Sequence, residues 1–254
     1  MKVWILVVCV LILLCVCVCA CVYREGYESG RIVCSLTTIP QRYELLPTTI
    51  DSLQAQTVQP STIYIHVAPK TMKGEHQDVE KLKRIVSRYP NVVVNVIEKD
   101  LGPITKVIPV LPLIRDDDKV VLVDDDVKYK PDMIEGLKKS GGPAVGYAGR
   151  RANLEFITCL GVKSLTDVDF IETFAGAMYD GKVLRGLTEY NSTLGDLCSM
   201  QDDIKIGNFL KLGGVPRVVI PFKSFCDHDA KDTPQLRDEN MSGGNSACFK
   251  KLYY

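Results

Sequence analysis

The stretch Val120-Val-Leu-Val-Asp-Asp-Asp126 joins a short apolar run to three successive carboxylates. Its apolar part, residues 120–123, is typical of a strand buried inside a parallel sheet. The three carboxylates follow directly at the end of that strand, which is the edge at which open α/β sheets bind ligands. The stretch therefore predicts a parallel sheet and an acidic site at its carboxyl edge.

The segments before and after this stretch alternate between apolar runs and amphipathic runs. Strands are predicted over residues 31–36, 62–67, 91–97, 120–123 and 218–220, and the continuous β-branched run at 91–97 predicts a buried one. Helices are predicted over residues 44–56, 79–86, 131–140 and 204–212, with an irregular one at 105–114. This βαβαβαβ order predicts an α/β fold with a mainly parallel sheet, right-handed crossovers and one domain.

The N-terminal segment differs from the rest of the chain. Residues 3–23 carry no charge, and a helix of that length spans about 30 Å, the thickness of a bilayer core. The apolar region of a signal peptide is usually shorter. We therefore expect residues 1–23 to be a signal-anchor with a short cytosolic tail, and residues 24–254 to be the globular domain. A cleaved signal peptide is the alternative.

Composition excludes two classes of protein. The chain has 254 residues, of which 46% are apolar, and this is globular rather than disordered composition. Its 31 basic residues balance 31 acidic ones, so no nucleic-acid partner is expected. The five cysteines after the N-terminal segment are scattered and odd in number, which does not indicate a complete disulfide framework. They are Cys34, Cys159, Cys198, Cys226 and Cys248.

Two acidic triplets differ in their place relative to the strand. Asp116-Asp-Asp118 precedes it beside Arg115 and Lys119, so we expect a solvated loop. Asp124-Asp-Asp126 follows it, and three crowded carboxylates repel one another unless a cation neutralises them. Oxygen ligands suit Mg²⁺ or Mn²⁺, which also bind substrate phosphates. A polar turn is the structural alternative.

Other polar residues have both a chemical and a structural interpretation. Lys106 could meet a diphosphate as a point charge or be an ordinary surface lysine. Asp202 could be a general base, whereas Asp203 could cap the helix that follows. His66 alternates within a strand and is expected to be a hydrogen-bonded histidine of the core or of its rim. His228 could be a late metal ligand or part of a loop.

Five short motifs together resemble one family of enzymes. They are Ser35-Leu-Thr-Thr-Ile-Pro-Gln-Arg42, Leu53-Gln-Ala-Gln-Thr57, Gly102-Pro-Ile-Thr-Lys106, Val123-Asp-Asp-Asp-Val127 and Gln201-Asp-Asp-Ile204. In this order, over about residues 31–222, they resemble the nucleotide-sugar glycosyltransferases of the GT-A fold. The resemblance is closest to the small type found in bacteria and in large viruses of algae.

The resemblance implies a role for each matching residue. It implies metal ligation of Mn²⁺ or Mg²⁺ by Asp124, Asp126 and, loosely, His228. It implies donor binding by Thr37, Pro40, Arg42, Lys106, Asp124 and Asp125. It implies a sugar and acceptor pocket at Phe174 and Gly176, and a general base at Asp202 or Asp203. Gln201 stands where the family more often has Glu, which leaves the choice of base open.

The implied activity is metal-dependent transfer of a sugar, with inversion by direct displacement. The donor would be a nucleoside diphosphate sugar, with a UDP-sugar favoured, and the acceptor a hydroxyl of a glycan, glycoprotein or glycolipid. With the anchor, the enzyme would face the Golgi or ER lumen in a eukaryotic or viral setting. Alternatives are a membrane-bound nucleotide-sugar-binding protein without catalysis and a metal-dependent nucleotidyltransferase, although the glycine-rich basic loop of the latter is absent after the first strand.

Overall fold

A computed structural model describes residues 30–151, 155–222, 227–228 and 245–253 of the chain. The strands are β1 Ile32–Thr37, β2 Thr62–Val67, β3 Val92–Val96, β4 Lys119–Leu122, β5 Val127–Lys128, β6 Ala144–Gly146, β7 Ala148–Arg150, β8 Phe156–Thr158, β9 Thr166–Asp167, β10 Phe170–Ile171, β11 Ala177–Asp180, β12 Val218–Val219 and β13 Asp227–His228. The α-helices are α1 Leu46–Gln54, α2 Val79–Val86, α3 Met133–Ser140, α4 Leu187–Leu194, α5 Asp202–Leu212 and α6 Asn245–Tyr253. Short 3₁₀ turns occupy Pro40–Arg42, Gly102–Lys106, Ile108–Leu113, Thr173–Ala175 and Gly181–Leu184.

The central sheet has the strand order β3-β2-β1-β4-β11-β6-β12-β9. Its first four strands are parallel, which confirms the predicted strand–helix alternation. Next to them β11 runs antiparallel to both β4 and β6. This reversal was not predicted, because a four-residue strand leaves no long periodic pattern. The fold is thus mixed α/β with a mainly parallel half.

The predicted burial of the third strand is wrong, although its direction is right. β3 lies at the edge of the sheet, and among the described strands it pairs only with β2. Val93 and Val96 are consequently 44% and 46% exposed. β-branched residues fit a half-buried edge as well as a buried strand, so this composition alone does not separate the two.

Two apolar layers cover the sheet. Alternate residues of β1 point to opposite layers, with Cys34 in one and Val33 in the other. Helices α1, α2 and α3 fill the Cys34 layer, and helices α4 and α5 with the 3₁₀ turns from 102 to 113 fill the Val33 layer. Burial on both faces is what the continuous apolar strands predict.

A disulfide joins Cys198, shortly before α5, to Cys248 in α6. The two cysteines are 50 positions apart in the sequence, so no local pattern predicts this pairing. Cys34 and Cys159 are buried free thiols. Cys226 and the cysteines of the N-terminal segment lie outside the described residues.

No helix in the described part of the chain is both long and apolar enough to cross a bilayer. The anchor predicted at residues 3–23 lies outside that part.

The prediction that the first acidic triplet is a solvated loop is only partly right. Asp116 and Asp117 are exposed, but Asp118 is fully buried. Its carboxylate accepts hydrogen bonds from the backbone and guanidinium of Arg31 and from the backbone of Arg115, at 2.7 to 2.9 Å. Burial by itself would raise the pKa of Asp118, but the hydrogen bonds from Arg31 and Arg115 lower it to about 2. Hydrogen bonds to Asp118 thus link the start of β1 to the start of β4.

This low pKa predicts how acid acts on the fold. A carboxyl whose pKa falls on folding stabilises the folded state above its ordinary pKa of 3.8, and that stabilisation is lost as the pH falls toward 2. We expect Asp118→Asn to lower the free energy of unfolding at pH 7 by about 2 kcal/mol. The difference in unfolding free energy between wild type and Asp118→Asn should shrink between pH 4 and pH 2. Urea denaturation across that range measures it, with the exposed Asp117→Asn as control. A deficit independent of pH would contradict the role of Asp118.

Candidate active site at the carboxyl edge

The carboxyl edge of the parallel strands gathers polar side chains from distant parts of the chain. The loop after β1 contributes Arg42, and the loop after β4 contributes the second acidic triplet. The 3₁₀ turn that ends at Lys106 and the first turn of α5 also reach this edge. The predicted candidates therefore meet at one place.

The three carboxylates of the second triplet alternate in exposure. The side chains of Asp124 and Asp126 are 29% and 13% exposed, whereas that of Asp125 is 5% exposed. The Nη1 of Arg42 lies 2.7 Å from Asp125 Oδ1 and 3.2 Å from Asp126 Oδ2. Thr49 Oγ1 donates to the Asp125 carbonyl at 2.8 Å. Asp125 therefore faces inward, and its two neighbours face the edge.

Lys106 is buried between acidic groups, so the surface-lysine interpretation is wrong. Its Nζ lies 2.5 Å from Asp124 Oδ1 and 3.2 Å from Asp202 Oδ2, and it donates to Thr173 Oγ1 at 3.1 Å. Burial would lower the pKa of Lys106, but the carboxylates of Asp124, Asp202 and Asp203 raise it well above its usual value. The ammonium therefore stays charged and joins the loop after β4 to the first turn of α5.

Asp202 and Asp203 have different surroundings. Asp202 is buried and points toward Lys106. Asp203 Oδ1 accepts hydrogen bonds from the backbone and hydroxyl of Thr173, at 3.2 and 2.9 Å. The capping role considered for Asp203 is wrong, since it lies inside α5 and binds another segment. Burial, together with the charge of Asp202, raises the pKa of Asp203 well above the usual value.

The crowding of the triplet suits a divalent cation. Burial, together with the charges of Asp124 and Asp125, raises the pKa of Asp126 to about 6. No group of three or more His, Cys, Asp or Glu side chains within the described ranges is arranged to hold a metal. Proteins nevertheless often supply only two carboxylate ligands to Mg²⁺ or Mn²⁺, because substrate phosphates and water complete the coordination. The residues present therefore fit such an ion.

His228 is placed beside the triplet by its backbone alone. It pairs with Val127 in the two-stranded sheet formed by β13 and β5. Its side chain lies outside the part of the structure that can be described, so metal ligation by His228 stays a prediction.

The remaining predicted residues line the same edge. Thr37 Oγ1 donates to the His66 carbonyl at 2.8 Å, and Pro40 begins the 3₁₀ turn that ends at Arg42. The Phe174 carbonyl accepts from Tyr129 Oη at 3.0 Å. Gly176 has a φ of +92°, which favours glycine, and an added Cβ there would lie 3.0 Å from Met133 Sδ.

Two residues of the cluster were not singled out in the sequence. Thr173 joins Lys106 to Asp203, and the Tyr129 hydroxyl accepts from the Asp124 backbone at 2.9 Å while it donates to Phe174. Neither belongs to a short motif with a chemical meaning. Their contacts depend on how separate segments pack, which only the fold supplies.

Comparison with protein-family models and with curated proteins gives no match. Solved structures do match. A mannosyltransferase of Pyrobaculum calidifontis, PcManGT, solved with GDP-Man and Mn²⁺, has a TM-score of 0.60 and 15% identity over 89% of this chain and 64% of that one. Staphylococcus aureus TarS 1–349 with UDP-GlcNAc has a TM-score of 0.54 and 11% identity over 82% of this chain and 63% of that one.

These similarities show the fold and leave the subtype open. The chain spans about three fifths of the length of those solved structures. The GT-A fold expected from the sequence motifs is confirmed. The resemblance to the bacterial and algal-virus type stays a prediction.

Removal of the buried ammonium should destabilise the fold. Lys106→Met leaves Asp124 and Asp202 without their cation, and loss of one partner of a buried pair costs about 3 kcal/mol. Urea denaturation at pH 7 measures this loss of unfolding free energy.

The matched control is Lys139→Met, which breaks an exposed pair with Glu135. Such a surface pair contributes less than about 1 kcal/mol. If Lys106→Met is no more destabilising than this control, Lys106 does not hold the cluster together.

Proposed function

We propose that this protein is a metal-dependent glycosyltransferase that moves a sugar from a nucleoside diphosphate sugar to an acceptor hydroxyl. The acceptor class is a glycan, glycoprotein or glycolipid. One observation carries the proposal: Lys106 holds Asp124, from the acidic triplet, and Asp202, from α5, in a single cluster at the ligand-binding edge. Proteins with the same fold have been solved with GDP-Man and Mn²⁺ and with UDP-GlcNAc, which supports a nucleotide-sugar donor.

Asp124 and Asp126 would hold Mn²⁺ or Mg²⁺, with His228 as a further ligand. Such an ion, when bound, neutralises charge on the leaving nucleoside diphosphate. Arg42 and Lys106 stand near opposite ends of the triplet, where their positive charges would bind diphosphate oxygens. Asp125, which is buried against Arg42, would orient that guanidinium rather than touch the donor itself. Thr37 and Pro40 would lie along the nucleotide.

Asp202 is the better candidate for the general base. Asp203 is engaged by two donors of Thr173, and its raised pKa favours the protonated form. Asp202 would take the proton of the acceptor hydroxyl while that oxygen bonds to the anomeric carbon. The bond from that carbon to the diphosphate oxygen breaks in the same step, so the anomeric centre inverts. Phe174 and Gly176 would shape the sugar pocket.

The disulfide supports the proposed location. Bonds such as Cys198–Cys248 persist in oxidising compartments and are rare in the cytosol. Together with an anchor at residues 1–23, this favours a domain that faces the ER or Golgi lumen in a eukaryotic or viral setting.

A panel of UDP- and GDP-sugars with Mn²⁺ or Mg²⁺ tests the reaction class. We expect slow hydrolysis of at least one donor by the purified chain, and transfer when a hydroxyl acceptor is added. Tight binding of a nucleotide without hydrolysis or transfer would instead identify a binding protein. Release of pyrophosphate from a nucleoside triphosphate would identify a nucleotidyltransferase.

The metal role predicts a large effect at Asp126. Asp126→Asn should lower donor hydrolysis at least about 100-fold, because several kcal/mol of charge stabilisation are lost. Asp117→Asn, an exposed change in the other triplet, serves as control and should leave the rate unchanged. Full activity of Asp126→Asn at saturating Mn²⁺ would contradict the role of this carboxylate.

The base assignment predicts a contrast between neighbours. Asp202→Asn should lower transfer about 10²- to 10⁴-fold and leave the Kd of UDP with Mn²⁺ within about twofold. Asp203→Asn keeps an oxygen that accepts from Thr173 and should lose less than about tenfold. Both rates come from the same transfer assay. The reverse ranking would assign the base to Asp203.

A further inference from the structure

Three polar side chains, two of them fully buried and one half-buried, lie beneath the 3₁₀ turn that carries Lys106. They are Ser35 of β1, His66 of β2 and Asn95 of β3. His66 pairs directly with Asn95 and with Thr37, two residues after Ser35, so the three share one face of the sheet. Ser35 and His66 are completely buried. The proposed reaction uses none of the three.

A continuous line of hydrogen bonds runs from Asn95 to the backbone of Lys106. Asn95 Nδ2 lies 2.9 Å from His66 Nδ1, and His66 Nε2 lies 2.9 Å from Ser35 Oγ. Ser35 Oγ in turn donates to the Lys106 carbonyl at 2.5 Å. The line therefore ends on the residue that pairs with Asp124 and Asp202.

Only one direction of donation satisfies every group in this line. The Lys106 carbonyl can only accept a hydrogen bond, so the single hydroxyl hydrogen of Ser35 is donated to it. His66 Nε2 must then donate to Ser35, and His66 Nδ1 must accept from the Asn95 amide. Burial lowers the pKa of His66 to about 4, which keeps the imidazole neutral near pH 7.

We propose that Ser35, His66 and Asn95 form a hydrogen-bonded relay that positions Lys106 for its carboxylate partners and for the donor diphosphate. The part that concerns the diphosphate rests on the proposed function. These are positioning residues, because they act through the Lys106 backbone. A lysine side chain is flexible, so the site of its charge depends on how firmly its backbone is held.

Two other interpretations are weaker. Ser35 is not a nucleophile, since it is fully buried and its hydroxyl donates a hydrogen bond to a carbonyl. A purely structural core would use apolar residues here, because buried polar groups cost free energy unless all are hydrogen-bonded. In this line both ring nitrogens of His66 and the hydroxyl of Ser35 are hydrogen-bonded, and the line ends at the candidate site, as a positioning role requires.

The tautomer of His66 is the first test and needs no ligand. The chain contains three histidines, so ¹⁵N-histidine labelling of the full chain in detergent gives few signals. We expect His66 to carry its proton on Nε2 and to stay neutral from pH 8 to pH 5. A proton on Nδ1, or an imidazolium at pH 6, would overturn the relay.

A double-mutant cycle is the second test, with UDP and Mn²⁺ as the probe. Ser35→Ala should weaken UDP binding about tenfold, the equivalent of one hydrogen bond. In a Lys106→Met background the same change should have less than a twofold effect. An equal loss in both backgrounds would show that Ser35 acts only on the fold. Ser61→Ala, which removes a serine–carbonyl bond near the opposite end of β1, is the control.

Variants of His66 keep the proposal testable if Ser35→Ala does not fold. His66→Gln retains an amide donor for Ser35 and should bind UDP within about threefold of wild type, whereas His66→Leu should resemble Ser35→Ala. Equal binding by the two would overturn the relay.

Hydrogen exchange separates failure of the relay from failure of the proposed function. If the wild type binds neither UDP nor GDP with Mn²⁺, the proposed function fails. The relay is then judged by backbone exchange over residues 102–107, which His66→Leu should accelerate and His66→Gln should not. Unchanged exchange in His66→Leu would overturn the relay.

Discussion

A buried ammonium requires anions around it, and most of the candidate site follows from that requirement at Lys106. Its charge is balanced by Asp124 and Asp202, and its hydrogen bond to Thr173 brings in Asp203. These groups come from the loop after β4, from α5 and from the segment before β11. The electrostatic demand of one side chain therefore fixes how three separate segments meet.

The sequence predicted those parts of the fold and site that depend on local order. The four parallel strands were predicted from apolar runs, and the acidic triplet was placed correctly because it follows β4 directly. Edge exposure of β3, reversal of β11 and burial of Asp118 each depend on a neighbour distant in sequence. No periodicity within one segment reports such a neighbour.

The same distinction applies to individual side chains. Asp125 and Asp126 are adjacent carboxylates of the same type, yet one is buried on Arg42 and the other faces the edge. The loop geometry decides this, and sequence order does not encode it. Thr173 and Tyr129 were missed because each matters through a partner on another segment. The pairing of Cys198 with Cys248 was unpredictable for the same reason.

The reversed strand β11 has a consequence for how the pocket can vary. Because β11 is antiparallel to β4, it begins at the edge where β4 ends. The turn before β11 therefore lies at the site without a crossover helix. That turn carries Thr173, Phe174 and Gly176. Insertions just upstream of it would reshape the pocket while the register of the parallel strands stayed intact. Substrate preference could therefore diverge among related chains at little cost to the scaffold.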